Sequence, residues 1–300
     1  MGKTAFVFAG QGAQAVGMGR DLYDHFKSVK DLFDTSGDLR DLCFDGLKEQ
    51  LDVTINTQPA VFLTDLAASI ALTENGVNAD GVAGFSLGEI PAACYAGILT
   101  RTQAFDFVSH RAVAMQACAE KHKGSMYAVL KLSADLVDEI CCSLSGIYPA
   151  NYNAPGQTVV ASSESSADEL QCAVSEHGGK SVKLAVSGAF HSPFMDDASK
   201  SVAEYLENVS FGAMQIPLYS NATAALYDDP KELLARQVNH PVLWQKTIEN
   251  MCNDGFDAFI ELGPGKTLSG LIKKINPDVH VCNVSDMQSL KNTLERYKNA

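Results

Sequence analysis

Residues 84 to 88 read Gly-Phe-Ser-Leu-Gly and follow the apolar run Gly81-Val82-Ala83. This pattern is typical of a nucleophile elbow, in which a strand turns sharply into a helix and leaves a serine hydroxyl exposed at the turn. Glycine suits both flanking positions because it has no Cβ and tolerates unusual dihedrals. The N-terminus of the following helix stabilises negative charge. Ser86 is therefore a candidate nucleophile for covalent acyl chemistry.

A serine alcohol is a weak nucleophile and needs a general base to accept its proton. Of the seven histidines, His191 is the candidate because it precedes Ser192-Pro193, a pair typical of a helix start. Imidazole titrates near about pH 6.5, so it accepts and returns a proton at neutral pH. The alternative interpretation is a packed histidine that stabilises a loop, and the local sequence fits both.

Backbone N–H groups are needed to hold the oxyanion of a tetrahedral intermediate. Leu87 follows the candidate nucleophile and is expected to supply one, and the loop Gly10-Gln11-Gly12-Ala13-Gln14 indicates Gln11 as the second donor. The same loop loosely fits a dinucleotide-binding fingerprint. That fingerprint requires a second strand ending in an acidic residue about 20 residues later, whereas residues 31–37 are largely polar. Nucleotide binding is therefore disfavoured.

Arg111 lies in a predicted helix over 102–120, next to the apolar run 112–114. A buried guanidinium needs an anionic partner, so burial of this side chain would indicate an acidic group nearby. A surface arginine on the same helix is the plainer alternative.

Composition excludes several classes of function. The formal net charge of −13 argues against non-specific nucleic-acid binding, which needs a basic surface. No apolar run reaches the roughly 20 residues that span a membrane, and we expect no signal peptide. The eight cysteines include no C-x-x-C pair, which predicts free thiols in a reducing cytoplasm, with neither disulfides nor a zinc site.

Two kinds of predicted structure must position these residues. Segments 4–9, 81–83 and 258–262 are predicted strands of a large domain, and its second helix is predicted to begin near Pro59, a good first helical residue. Between them, 126–186 shows the order β-α-β-β-α-β of a ferredoxin-like unit. The predicted fold class is therefore α/β, with a large domain over 1–123 and 190–300 and an inserted subdomain over 124–189.

The chain resembles the malonyl-CoA:acyl carrier protein transacylases from residue 4 to about residue 285. Six motifs occur in the order and spacing of that family. They are Gly10-Gln11-Gly12-Ala13-Gln14, Gly84-Phe85-Ser86-Leu87-Gly88-Glu89, His110-Arg111 with Met115, Asn153-Ala154-Pro155-Gly156-Gln157, Ala189-Phe190-His191-Ser192, and Glu261-Leu262-Gly263-Pro264-Gly265-Lys266. The resemblance implies an α/β-hydrolase-like large domain with an inserted ferredoxin-like subdomain.

The resemblance also implies roles for individual residues. Ser86 is the residue acylated by malonate, and His191 is its general base in a Ser-His dyad without a third carboxylate. The backbone carbonyl of Gln237 orients the imidazole. Gln11 and Leu87 supply the oxyanion N–H groups.

The implied substrate contacts come from other positions. Arg111 grips the malonyl carboxylate in a bidentate manner, Phe190 crowds the α-carbon of a branched acyl group, and Asn153 lines the substrate site. One residue departs from the family pattern, because Phe85 stands where a histidine usually precedes the serine. We expect turnover to survive this change, since neither proton transfer nor oxyanion binding depends on that position.

The implied activity is transfer of a malonyl group from malonyl-CoA to the phosphopantetheine thiol of an acyl carrier protein, feeding fatty-acid synthesis. No metal or redox cofactor is expected, and neither nucleic acid nor a membrane is an expected partner. An acidic carrier would need a local basic patch; candidates are Lys180, Lys183, Lys266, Lys273 and Lys274. The alternatives are an acyltransferase that loads a polyketide synthase, a serine thioesterase or hydrolase, and a non-catalytic carrier-binding protein.

Overall fold

The computed structural model describes residues 2–298 and contains two separate sheets. Their strands, in chain order, are β1 (Lys3–Phe8), β2 (Gly81–Gly84), β3 (Gly124–Leu130), β4 (Ile147–Ala154), β5 (Gln157–Ser163), β6 (Lys180–Lys183), β7 (Leu218–Tyr219), β8 (Phe256–Leu262) and β9 (His280–Val284). The larger sheet has the order β7-β2-β1-β8-β9 and the smaller sheet the order β4-β5-β3-β6.

Fourteen α-helices are present within the described residues. They are α1 (Arg20–His25), α2 (Lys27–Asp34), α3 (Asp38–Asp45), α4 (Lys48–Leu51), α5 (Thr54–Glu74), α6 (Glu89–Tyr95), α7 (Arg101–Lys121), α8 (Ala134–Ser143), α9 (Ala167–Glu176), α10 (Asp196–Leu206), α11 (Pro230–Arg236), α12 (Trp244–Asn253), α13 (Thr267–Ile275) and α14 (Met287–Lys298). In residues 2–298 no helix combines the length and apolarity that crossing a membrane requires.

The larger sheet is parallel at every pairing of its five strands. Its central strand, β1, is buried on both faces at Ala5–Phe8, as expected of a parallel sheet covered by helices. Phe6 and Phe8 join the core that includes α5 and α7, whereas Ala5 and Val7 join the core that includes α12 and α13. Parallel strands end at one edge, so the loops after β1 and β2 meet there.

The smaller sheet is antiparallel and carries α8 and α9 in the order β3-α8-β4-β5-α9-β6. The predicted β-α-β-β-α-β order and the mixed α/β class are therefore confirmed. The proposed domain boundaries at 123/124 and 189/190 stay a prediction.

One predicted boundary is wrong. Helix α5 begins at Thr54 rather than near Pro59, so the proline lies inside the helix. The preceding segment is polar, but its Thr57 and Gln58 side chains are buried with hydrogen-bond partners supplied by other parts of the chain. Tertiary contacts thus stabilise a first turn that the residue pattern does not indicate. The polar stretch 31–37 lies in α2 and the turn after it, so it is not the strand that a dinucleotide fold requires.

Candidate active site

The turn between β2 and α6 has the geometry of a nucleophile elbow. Ser86 has φ of 53°, which places it in the left-handed region that side chains rarely occupy. A Cβ on Gly84 would lie 1.9 Å from the carbonyl carbon of Gly88, and one on Gly88 would lie 2.2 Å from the carbonyl oxygen of Phe8. Both glycines are therefore required for the backbone to pass this closely.

Ser86 and His191 side chains meet although 105 residues separate them along the chain. The Oγ atom of Ser86 lies 2.7 Å from Nε2 of His191, and Nδ1 of the same ring lies 2.9 Å from the backbone oxygen of Gln237. A carbonyl only accepts hydrogen bonds, so Nδ1 carries the ring proton. Nε2 is thereby left free to accept the proton of the serine hydroxyl.

His191 is buried and lies between β6 and α10. Burial, with a further contribution from the positive charge of Arg111, lowers the pKa of His191 to about 4. The ring is consequently neutral at physiological pH, which is the form that a general base requires.

Arg111 projects from α7 and is 1% exposed, so the surface-arginine alternative is wrong. Its guanidinium donates to Oε1 of Gln58 at 2.8 Å, to Oε1 of Gln237 at 2.7 Å and to Oγ of Ser86 at 3.2 Å. All three acceptors are neutral, and Nε has no partner. Burial lowers the pKa of Arg111 to about 10, so the guanidinium stays charged beside the nucleophile and has capacity for an anion.

Glu89 is a fully buried carboxyl on the first turn of α6. It accepts hydrogen bonds from the Gln237 side chain at 2.5 Å, the Tyr227 hydroxyl at 2.8 Å and the Asn221 backbone at 2.8 Å. Burial raises the pKa of Glu89 to about 7. Glu89 therefore holds two connecting segments, the one after β7 and the one after α11, against the elbow.

Gln237 joins these groups into one network. Its amide nitrogen donates to Glu89 and to the backbone oxygen of Ser86, while its amide oxygen accepts from Arg111. Its backbone oxygen faces His191. A single residue after α11 thus contacts the nucleophile segment, the candidate base and the candidate anion-binding side chain.

Asn221 holds the elbow from the side of β7. Its Oδ1 accepts from the backbone N–H of Ser86 at 2.6 Å, and its Nδ2 donates to the backbone oxygen of Gly84 at 2.6 Å. The backbone N–H of Ser86 is therefore occupied, and an oxyanion must be held by other donors. This arrangement is compatible with the expected donors Leu87 and Gln11.

A cavity of about 280 Å³ opens beside Ser86 and His191, between the larger and the smaller sheet. The predicted residues Gln11, Asn153 and Phe190 line it, together with Phe85. Leu87 is buried beneath the elbow. The structure therefore brings every predicted catalytic and substrate-binding residue to one place.

Comparison with known proteins gives the family of this fold and site. The acyl transferase domain matches residues 5–289. The malonyl CoA-acyl carrier protein transacylase of Bacillus subtilis is 34% identical over 99% of this chain and 98% of its own length. The chain belongs to the acyl transferase family. The resemblance found in the sequence is thereby confirmed.

Solved structures of relatives have the same fold. The malonyl CoA-acyl carrier protein transacylase of Clostridium perfringens superposes with a TM-score of 0.95 at 37% identity, covering 99% of this chain and 98% of its own. A malonyl-transacylase solved in complex with its type II PKS acyl-carrier protein gives a TM-score of 0.94 at 32% identity, covering 98% and 99% of the two chains. Acyltransferase activity follows from this family membership.

Phe85, the departure from the family pattern, lies on the cavity wall and packs edge-on against Trp244, with ring centroids 5.4 Å apart. It also restricts the glycine-rich loop, because a Cβ on Gly10 would lie 2.6 Å from the Phe85 backbone oxygen. In this acyltransferase the residue therefore contributes an apolar surface next to the nucleophile.

Three residues of the network carried no prediction from sequence. Gln58 precedes the predicted start of α5. Asn221 follows a two-residue strand, which is too short to show an alternating pattern in the sequence. Glu89 stands in a quoted motif, yet nothing local indicates that it is buried. A polar residue two positions after a strand of the parallel sheet is the one signal that indicates Asn221.

Proposed function

We propose that this acyltransferase moves a malonyl group from malonyl-CoA to the phosphopantetheine thiol of an acyl carrier protein, through a malonyl ester on Ser86. The single observation that carries the proposal is the position of Arg111. A buried cation, hydrogen-bonded only to neutral groups, lies 3.2 Å from the hydroxyl of the nucleophile. The nearby Glu89 carboxyl interacts with it electrostatically but is joined to it only through the Gln237 side chain. An acyl group bearing its own carboxylate supplies the directly bonded anion that this cation lacks.

In the first half-reaction, the Ser86 oxygen attacks the thioester carbon and His191 accepts the hydroxyl proton at Nε2. The negative charge on the carbonyl oxygen is held by the backbone N–H groups of Gln11 and Leu87. The carbon–sulfur bond then breaks, and His191 returns the proton to the coenzyme A thiolate. The imidazolium formed in between is oriented by the Gln237 carbonyl.

The second half-reaction uses the same groups in reverse. The thiol of the carrier gives its proton to His191, and its sulfur attacks the malonyl ester. The bond to Ser86 breaks as the serine oxygen recovers the proton. Because the two substrates use the same cavity in turn, the kinetics are expected to be ping-pong.

Selectivity for malonyl groups depends on contacts at the carboxylate and at the α-carbon of the acyl group. Arg111 turns from Ser86 toward the malonyl carboxylate, which accepts two parallel N–H hydrogen bonds. Phe190 is 5% exposed and lines the cavity, so its ring limits the space for a branch at the α-carbon. Asn153 lines the cavity and its Oδ1 atom lacks a partner in the protein, so we expect it to accept a hydrogen bond from the pantetheine arm.

The carrier is expected to dock where lysines surround the cavity mouth. Lys183 precedes the lining residue Leu184, Lys266 precedes Thr267, and Lys274 contacts Gln157 at 3.5 Å. All three are exposed. Lys273 is a weaker candidate, because its Nζ donates to the backbone oxygens of 277 and 279.

We assign the product to fatty-acid synthesis in the cytoplasm, a compartment that suits eight free cysteines. The acyl-transfer steps written above require neither a metal nor a redox cofactor. Delivery to a polyketide synthase is the second candidate, favoured by the similarity to the PKS-associated transacylase. Assays with carriers of both kinds distinguish the two pathways.

The test is the intact mass of the protein after exposure to malonyl-CoA. We expect one malonyl adduct, its loss in Ser86→Ala, and its transfer to a pantetheinylated carrier on mixing. Ser165→Ala, which alters an exposed serine, is the control and should retain the adduct. Release of free malonate faster than formation of malonyl-carrier would assign a hydrolase instead, and a wild-type protein without an adduct would indicate a non-catalytic carrier-binding protein.

A further inference from the structure

A second group of chemically active side chains lies outside the acyl-transfer cavity. Cys118 lies in the last turn of α7, His122 directly follows that helix, and Asp197 lies in the first turn of α10. One ligand atom from each residue lies within 4.8 Å of the others. The spacing of the cysteines does not reveal this cluster, because it combines one cysteine with a histidine and an aspartate.

We propose that Cys118, His122 and Asp197 bind a divalent transition-metal ion of the zinc class. Thiolate sulfur, imidazole nitrogen and carboxylate oxygen are the three ligand types that Zn²⁺ takes in proteins, and three protein ligands leave a fourth position for water. Magnesium and calcium are disfavoured, because they prefer sites made of oxygen ligands alone.

The separation between the His122 and Asp197 ligand atoms fits a tetrahedral ion, and the Cys118 sulfur lies within 4.8 Å of both. His122 Nε2 lies 3.7 Å from Asp197 Oδ2, and a tetrahedral ion with bonds of about 2.0–2.3 Å separates its ligands by roughly 3.3–3.8 Å. Cys118 and His122, spaced i and i+4, lie on one side of the end of α7. The His122 and Asp197 side chains are 38% and 49% exposed, so an ion reaches the buried Cys118 from solvent.

Lys121 is the competitor for this site. Its Nζ atom lies 2.5 Å from Asp197 Oδ2, and its side chain is 65% exposed. An ion therefore replaces a surface ion pair, which contributes little stability, and the lysine moves into water. Only the thiolate form of Cys118 binds an ion, so ion binding releases the thiol proton and strengthens as pH rises.

The cluster also lies where the chain passes between the two sheets. Helix α7 leads into β3, and α10 follows the return from β6. The Cys118 thiol donates to the backbone oxygen of Phe194 at 3.1 Å, three residues after His191. A bound ion would thus fasten the outgoing segment to the returning segment that carries the candidate general base.

The experiment uses tag-free, fully reduced protein titrated with Co²⁺, which reports a thiolate ligand by a charge-transfer absorption band, and with Zn²⁺ in competition. We expect one ion per chain, displacement of cobalt by zinc, and tighter binding at higher pH. Cys118→Ser should abolish the charge-transfer band. Removing a direct ligand in His122→Ala or Asp197→Asn should weaken zinc binding by at least about tenfold.

Cys142→Ser is the matched control, because Cys142 is an exposed cysteine on α8 and its loss should leave the band and the affinity unchanged. Asp197→Asn alters an exposed side chain and should not prevent folding, so it separates ligand loss from misfolding. Retention of the band in Cys118→Ser, equal zinc affinity in wild type and Asp197→Asn, or the absence of a cobalt band in the wild type would each overturn the proposal.

Discussion

The two walls of the active-site cavity differ in what holds them. We name the first the elbow wall: Ser86 and His191 line the cavity, and Arg111, Gln237 and Glu89 are joined to them from behind by hydrogen bonds. Its side chains are linked by hydrogen bonds of 2.5–3.2 Å, and each is buried. Such a network fixes each group in one orientation, because a buried polar atom without its partner is costly.

The opposite wall, which we name the sheet wall, consists of Met126, Asn153, Val159, Leu184 and Phe190. Four of these residues are apolar, and the Oδ1 atom of Asn153 has no partner. Apolar packing is non-directional and tolerates changes of shape better than a hydrogen-bonded network does. We infer that the elbow wall sets the rate and, through Arg111, binds the acyl carboxylate, whereas the sheet wall limits the shape of the acyl chain.

Apart from loss of the nucleophile, removal of the general base should reduce the acylation rate more than any other change in the elbow wall. We expect His191→Ala to slow acylation by about 10²–10⁴-fold, the usual contribution of a general base. Stopped-flow release of coenzyme A measures this step directly. His177→Ala, at an exposed histidine, is the control. A loss below tenfold would show that another group accepts the proton.

Removing the anion-binding side chain should affect one class of substrate. We expect Arg111→Ala to reduce kcat/KM for malonyl-CoA by roughly 10²-fold, since a buried charged partner is worth about 3 kcal/mol, while the relative rate with acetyl-CoA rises. Arg101→Ala, on the exposed end of the same helix, is the matched control. An unchanged preference for malonyl-CoA would contradict the role of Arg111.

A change in the sheet wall should alter selectivity more than rate. Phe190→Ser enlarges the space beside the α-carbon, and we expect discrimination against methylmalonyl-CoA to fall by about tenfold, within the range for one methyl group. The malonyl-CoA rate of the same variant, measured in parallel, should change less than this ratio. Equal losses with both substrates would show that Phe190 supports the site without selecting the substrate.

The smallest effect concerns pH. Because burial lowers the pKa of His191 to about 4, the base stays neutral well below the titration range of an ordinary histidine. The acylation rate should therefore show no inflection near about pH 6.5 and should fall only as pH approaches 4. Glu89 has a pKa of about 7 and lies in the same network. The profile of Glu89→Gln therefore identifies any inflection that this carboxyl causes.

The same shifts affect stability in opposite directions. His191 has a pKa of about 6.5 in the unfolded chain and about 4 in the folded protein, so between these values only the unfolded chain binds the proton. The contribution of His191 to stability therefore falls as pH drops from about 6.5 to about 4. Glu89 binds its proton more readily when folded, and its contribution falls as pH rises from 4.5 to about 7.

The elbow could be predicted from the sequence because its residue pattern is local. Gly84 and Gly88 lie within two residues of Ser86, and the clashes that exclude a side chain there arise within the turn and against the neighbouring strand β1. The alternating order of strands and helices in the smaller sheet was likewise predictable, since each element has its own period and its own turns.

Other features depend on distant contacts. Local sequence left His191 open between a base and a packed residue, and left Arg111 open between a surface residue and a buried one. Folding places the first 2.7 Å from Ser86 and buries the second beside it. The sequence thus determined which residues were able to do chemistry, because side-chain type and turn sterics are local. Tertiary structure decided which of them meet, because burial and hydrogen bonding join segments far apart along the chain.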